Sequence, residues 1–241
     1  DIVYQSYGKR QLLADLYFPK ANGKSLPCII MIHGGGWRSG RKELMQNIAL
    51  KLAGEGFAIV VPEYRMSLEA QYPAAVYDIK AAIRWTRSKA SEYHINSKKI
   101  AIVGCSAGGQ LAALVGSTNN KASFEGISAP EFSSEVQALV DIDGVLAFKH
   151  PDSEEEKMAS DWLGGNYDEA TQNWVQASAL SHVSKDTPPT LFLASKYPRF
   201  LAGHKEYMAK LDEMNITNIK IEMGDAPHSF WLLDPWFEHT I

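Results

Sequence analysis

Three short stretches carry residue types suited to attack on a carbonyl carbon. The first is Gly104-Cys105-Ser106-Ala107-Gly108, a G-x-S-x-G pentapeptide between the apolar run IAIVG and the helix-compatible QLAALVG. By composition such a pentapeptide arises in about one chain in ten of this length, so its weight lies in the strand before it and the helix after it. A serine on a sharp strand-to-helix turn is lifted clear of the sheet. The flanking glycines keep neighbouring strands from colliding, and the helix N-terminus aims the Ala107 N–H at a developing oxyanion. The alternative is a glycine-rich turn that serves only close packing.

The second stretch is His33-Gly34-Gly35-Gly36-Trp37, after the apolar run CIIMI. H-G-G-G is expected by chance in only a few chains per thousand. Consecutive glycines let main-chain N–H groups approach a substrate without side-chain cover. Gly35 and Gly36, with Ala107, would surround a carbonyl oxygen as it becomes an anion, each donor being worth ~3 kcal/mol in the transition state. A phosphate cradle would need a Walker lysine or a dinucleotide glycine pattern, and neither is present. His33 is expected to brace the loop.

The third is His228, in Asp225-Ala226-Pro227-His228-Ser229-Phe230 after the last strand-like run. A histidine here could take the Ser106 proton and return it to a leaving alcohol; otherwise it is a loop residue capping the next helix. His94, His150, His182, His204 and His239 read as surface or turn residues.

Positioning these groups requires a sheet. Apolar runs alternate with helical-period segments throughout, the pattern of a mostly parallel sheet covered by helices. Strands are expected at Ile2–Ser6, Leu12–Phe18, Cys28–His33, Ala58–Tyr64, Ile100–Gly104, Val136–Ile142, Thr190–Ala194 and Ile219–Met223, and helices near Lys42–Glu55, Ala74–Glu92, Gly108–Ser117 and Ala202–Met214. The runs CIIMIH, AIVVPEY and IAIVG are continuous enough in apolar residues to be buried on both faces. The stretch 148–186 lacks a strand signal. It holds an acidic run, Asp152 to Glu156, with Trp162, Tyr167 and Trp174, and reads as a helical excursion over one sheet edge in a single domain of residues 1–241.

LADLYFP, IIMIHGGGW, VVPEYRMSLEAQYPAAVYDIKAAIRW, IAIVGCSAGG and DAPHSFW together resemble the α/β-hydrolase fold, in its HGGG-type esterase branch. The resemblance runs from the second strand to the end of the sequence. It implies an eight-stranded, mostly parallel sheet with helices on both faces, Ser106 as nucleophile and His228 as base. PPTLFLASKYPRFLAGH and PHSFWLLDPWF resemble bacterial carbohydrate esterases that remove acetyl or feruloyl groups from plant cell-wall polysaccharides. The implied activity is serine carboxylester hydrolysis through an acyl-enzyme, on a small-molecule or polysaccharide ester. Feruloyl esterase, general short-chain carboxylesterase, prolyl-oligopeptidase-type peptidase and lapsed hydrolase-fold binding protein are the other readings. The fold usually continues past PWFEHTI into a closing helix, so a few further residues are expected.

In most such hydrolases the orienting acid follows the seventh strand, but here TLFLA leads into Ser195-Lys196-Tyr197-Pro198-Arg199-Phe200 with no carboxylate. Some lipases and platelet-activating-factor acetylhydrolases carry it after the sixth strand instead, which would be Asp143 in ALVDIDG. Asp143 could equally terminate its strand by bonding turn amides. Asp141, Asp152, Glu154, Asp225 or no acid at all are the alternatives. Trp37 is expected to wall the acyl pocket, with Trp231 and Arg199 contacting substrate. Arg199 would meet a carboxylate such as a uronic acid, or else pair with Asp225 or another acid. Trp162 and Trp236 also fall near loops at this edge, and at least half of the four tryptophans are expected to be buried anchors.

The chain has 241 residues, 24 basic and 28 acidic, for a net charge of −4. That balance gives no footprint for nucleic acid or an anionic membrane. No apolar run approaches the ~18 residues of a membrane span. Cys28 and Cys105 lack metal-ligand spacing and read as buried thiols. No H-E-x-x-H, Cys/His cluster or dinucleotide fingerprint implies a metal or organic cofactor. The sequence begins at Asp1 without an apolar leader, as a processed export product or a trimmed chain would, so a periplasmic or secreted location is the corresponding expectation.

Overall fold

A computed structural model describes residues 1–20, 25–127, 130–154 and 156–241. Eight strands form one sheet: β1 (Ile2–Tyr7), β2 (Arg10–Tyr17), β3 (Leu26–Ile32), β4 (Ala58–Pro62), β5 (Ile95–Cys105), β6 (Ala138–Ile142), β7 (Thr190–Ala194) and β8 (Asn218–Glu222). Their order is β1-β2-β4-β3-β5-β6-β7-β8. β2 pairs antiparallel with β1 and β4, and every other pairing is parallel.

The central strands feed two cores. In β3, Cys28, Ile30 and Ile32 join Ile100, Ile102 and Leu139 on one face. Ile29 and Met31 join Val103 and Leu193 on the other. That two-sided use is why these runs lack polar alternation. Helices α2 (Ala74–Ser88), α3 (Ala107–Ser117) and α6 (His204–Glu213) contribute to the first core. Helix α1 (Gln46–Gly54) and the C-terminal segment with α7 (Trp236–Thr240) contribute to the second.

Among the boundaries that differ from the sequence reading, two stand out. β5 starts at Ile95, because Ile95 pairs with Leu26 before a register shift, so the polar Asn-Ser-Lys-Lys stretch lies within a strand. α2 ends at Ser88 and the chain turns through His94, whose φ is +55°.

Between β6 and β7 lie α4 (Glu156–Leu163), α5 (Tyr167–Ala177) and a 3₁₀ turn, Ala179–His182. Glu155 of the acidic run lies outside the described residues. An aromatic cluster ties this stretch to the sheet: Trp162 stacks on Trp37 at 5.1 Å, and Phe148 lies 5.9 Å from Trp174.

Candidate active site

Ser106 sits between the end of β5 and the start of α3 with φ +56° and ψ −122°. A non-glycine residue there stores on the order of 1–3 kcal/mol of strain. The turn is held because the Ser106 N–H donates to Ile142 O at 2.7 Å and its carbonyl accepts from Gln110 N at 3.0 Å. A Cβ at Gly104 would collide with Gly108 O, and one at Gly108 with Ile32 O, so only glycine lets strand and helix close on the serine.

The glycine strip leaves β3 beside this turn. Gly35 and Gly36 have φ of +126° and +59°. Gly35 O accepts from Arg38 N and Ser39 N, closing the loop on itself. A Cβ at Gly34 would stand 3.1 Å from Ser106 Cβ, which measures how closely strip and serine approach. His33 is buried, donates from Nδ1 to Gly34 O at 2.8 Å and stacks on Tyr64. Burial pulls its pKa down, favouring a neutral ring that braces the loop.

His228 closes the site. Its Nε2 lies 2.9 Å from Ser106 Oγ and its Nδ1 lies 3.0 Å from Asp143 Oδ2. With Nδ1–H donating to the carboxylate, Nε2 is left to accept the serine proton. Asp143 is fully buried, has φ +52°, and its Oδ1 accepts from Ser195 N at 2.6 Å. The amide after β7 therefore holds an acid that β6 supplies.

The competing carboxylates lie elsewhere. Asp141 accepts from Gly144 N at 3.0 Å and lies 3.3 Å from His204, and burial pushes its carboxyl up. Asp225 is turned to solvent and pairs with Lys196 at 3.1 Å. Asp152 lies beside His150, and Glu154 is exposed.

A cavity of about 440 Å³ opens over Ser106 and is lined by Gly35, Gly36, Ala107 and His228 among others. Trp37 and Trp231 also line it, but they are buried, with 2% and 4% exposure, and offer no open face for a sugar to stack on. Trp37 is committed to its stack on Trp162, itself buried, and to a hydrogen bond from Nε1 to Gln110 Oε1 at 2.9 Å. Trp236 is half-buried against the second core. Arg199 stands at the cavity with its guanidinium 4.4 Å from the Phe200 ring centre. His204, expected at the surface, is 3% exposed because α6 begins beneath the loop after β6.

Two residues of this site carry no sequence signal of function. Phe200 stacks on His228 with ring centres 3.6 Å apart. Gln110, one helical turn beyond Ser106, accepts from Trp37 and donates from Nε2 to Ala177 O at 2.8 Å. Among the described residues no group of three or more His, Cys, Asp or Glu converges as a metal site would require, and no helix is long and apolar enough to cross a membrane.

Residues 14–198, most of the chain, match the BD-FAE family model. The chain belongs to the BD-FAE family. A further relative is Esterase LipC of Mycobacterium tuberculosis, 26% identical over 220 residues that cover 88% of this chain and 55% of that protein. Another is the probable carboxylic ester hydrolase LipM of the same organism, 30% identical over 200 residues, 80% of this chain and 46% of the relative. The chain thus spans about half the length of these curated relatives. Among solved structures, a truncated carbohydrate esterase from gut microbiota superposes with a TM-score of 0.82 at 26% identity, covering 99% of this BD-FAE chain and 92% of that one. The sheet with helices on both faces is the α/β-hydrolase fold shared with these esterases.

Proposed function

We propose that the chain is a serine carboxylester hydrolase that removes small acyl groups, acetyl foremost, from plant polysaccharides or oligosaccharides. The observation that carries this reading is the unbroken chain Asp143–His228–Ser106, at 3.0 and 2.9 Å, beside the glycine strip. Ser106 Oγ attacks the ester carbonyl as His228 Nε2 takes its proton. The Gly35, Gly36 and Ala107 amides hold the oxyanion, and the leaving alcohol departs with the proton from His228. Water then enters by the same route: His228 accepts its proton, the acyl group leaves as the acid, and Ser106 is restored.

Asp143 fixes the imidazole tautomer and stabilises the imidazolium formed in each half-reaction. The cavity falls within the range of about 300–1,000 Å³ usual for small-ligand sites. Relatives named esterase, and the likeness to a gut-microbial carbohydrate esterase, support both the reaction and the substrate class. Arg199 at the cavity suits a substrate bearing a uronic acid carboxylate.

Acetate release from acetylated xylan and acetylated pectin, with Ser106→Ala alongside, tests the reading. Serine-dependent release from either polymer supports it. Hydrolysis of an aryl acetate without release from either polymer keeps the esterase and discards the polysaccharide. Silence on all three substrates discards both.

A further inference from the structure

Asp141 and His204 are buried ionisable groups with no part in the proton path just described. Asp141 is fully buried, and its Oδ1 accepts from the N–H of Gly144 at 3.0 Å. His204 is buried at the start of α6, and its Nε2 donates to the carbonyl of the same Gly144 at 2.9 Å. Both polar groups of one residue are thus gripped by side chains from two different elements, and that residue directly follows Asp143.

The grip is costly. His204 Nε2 lies 3.3 Å from Asp141 Oδ2, yet Oδ2 and His204 Nδ1 are both buried without a hydrogen-bond partner. A buried polar atom left unpaired destabilises the folded state. Burial also pushes the Asp141 carboxyl up. Cys105 of β5 and Tyr207 of α6 are the other titratable side chains that feel this carboxylate, besides Asp143 itself. A purely apolar filling would have avoided these costs.

What the grip restrains is strained. Asp143 stands at φ +52°, a left-handed conformation unusual for a non-glycine residue. A Cβ at Gly144 or at Gly109 of α3 would collide with Asp141 Oδ1, so the carboxylate is wedged between the loop and the elbow helix. Leu146 N and Ala147 N both donate to Ala202 O, which fastens the rest of the loop to the approach of α6.

We propose that Asp141 and His204 are positioning residues: together they clamp Gly144 and thereby hold Asp143 in the conformation that meets His228. They touch neither substrate nor reacting atoms and act through Asp143. The inference rests on the serine-esterase reading only for its kinetic consequence, since the clamp itself can be read from the His228–Asp143 contact.

The test therefore has two arms. In the first, the downfield proton resonance of His228 Nδ1–H is compared in the wild-type protein, His204→Leu, His204→Gln and Asp141→Asn. Loss or marked upfield movement is expected in His204→Leu, which removes the donor to Gly144 O. It is also expected in Asp141→Asn, which sets an amide NH₂ against the His204 N–H. His204→Gln, whose amide can reach the same carbonyl, should recover the signal. In the second arm, kcat is expressed per serine labelled by a fluorophosphonate. His204→Leu and Asp141→Asn should lose about 10- to 100-fold in kcat with KM nearly unchanged, the scale of a 1 Å misplacement in an active site.

A wild-type resonance and wild-type kcat per labelled site in both impaired variants would overturn the clamp, whatever their melting temperatures. If His204→Leu fails to fold, the isosteric Asp141→Asn carries the same decision. A wild-type protein that neither labels nor turns over ester would count against the serine-esterase reading, while the resonance arm would still decide the clamp.

Discussion

The His228 imidazole lies flat on the phenyl ring of Phe200, with ring centres 3.6 Å apart and planes 10° from parallel. Trp231 meets the same imidazole edge-on at 5.2 Å. Two aromatic side chains therefore fix the ring's plane, while Ser106 and Asp143 fix its rotation within that plane. Phe200→Leu keeps apolar bulk and removes the flat face. We expect kcat to fall about 10-fold, short of the ~100-fold typical of a full misplacement, and steady-state kinetics with a thermal melt would separate this from instability. Unchanged kcat would show that the Ser106 and Asp143 contacts suffice.

Ser106→Ala removes the proposed nucleophile and Asp143→Asn the proposed orienting carboxylate. The expected losses in kcat are about 10⁶-fold and 10⁴-fold respectively, by the non-additive logic of residues acting as one unit. Acetate release and fluorophosphonate labelling check both. A double variant should be no worse than Ser106→Ala alone.

Gln110 couples three elements, since Trp37 after the glycine strip donates to it and it donates to Ala177 at the end of α5. Gln110→Leu leaves the Trp37 N–H and the Ala177 carbonyl buried without that partner, at about 1–3 kcal/mol each. Denaturant midpoints should fall accordingly, and kcat should fall with them because Trp37, next to the glycine strip, loses its anchor. A drop in stability with unchanged kcat would confine Gln110 to scaffolding.

Glu125 lies against Lys80, Arg84 and Ser134. Burial raises its carboxyl, but the Ser134 hydroxyl and the Lys80 and Arg84 charges outweigh burial and hold it below the usual range. Its contribution to stability is therefore fully present above the unfolded glutamate value of about 4.3 and is lost as pH falls through the lower folded value. Thermal melts of wild type and Glu125→Gln should differ most near neutrality and converge on acidification. A constant gap down to the acid limit would refute this.

Arg199 stands at the cavity beside Phe200. Arg199→Gln should raise KM severalfold on acetylated pectin, whose backbone is anionic, and leave acetylated xylan little changed, as loss of one exposed charge contact of up to ~1 kcal/mol implies. Equal effects on the two polymers would assign Arg199 to shaping the loop.

The elbow and the glycine strip were legible in the sequence because their chemistry is written into local backbone demands. A serine between glycines at a strand–helix junction, and three glycines leaving a buried strand, have few other uses. The mostly parallel character of the sheet followed from apolar runs too continuous for one-sided strands. The location of His228 after the last strand was legible for the same reason: ligand-facing groups gather at the carboxyl ends of parallel strands.

The carboxylate that meets His228 was legible only through the resemblance that pointed to Asp143; the residues by themselves left Asp141 open. Asp141 and Asp143 are two residues apart and would share a face if the strand continued, but β6 stops at Ile142 and the positive φ of Asp143 rotates it toward His228. Asp141, left in the strand, is sealed under α3 and bound to Gly144 instead. Burial of Trp37 and His204 was likewise set by segments far away in sequence, α4 for the first and the loop after β6 for the second. Local pattern determined the elements and the residues able to do chemistry. Only the tertiary structure decided their partners, because partner choice depends on side-chain directions that long-range packing imposes.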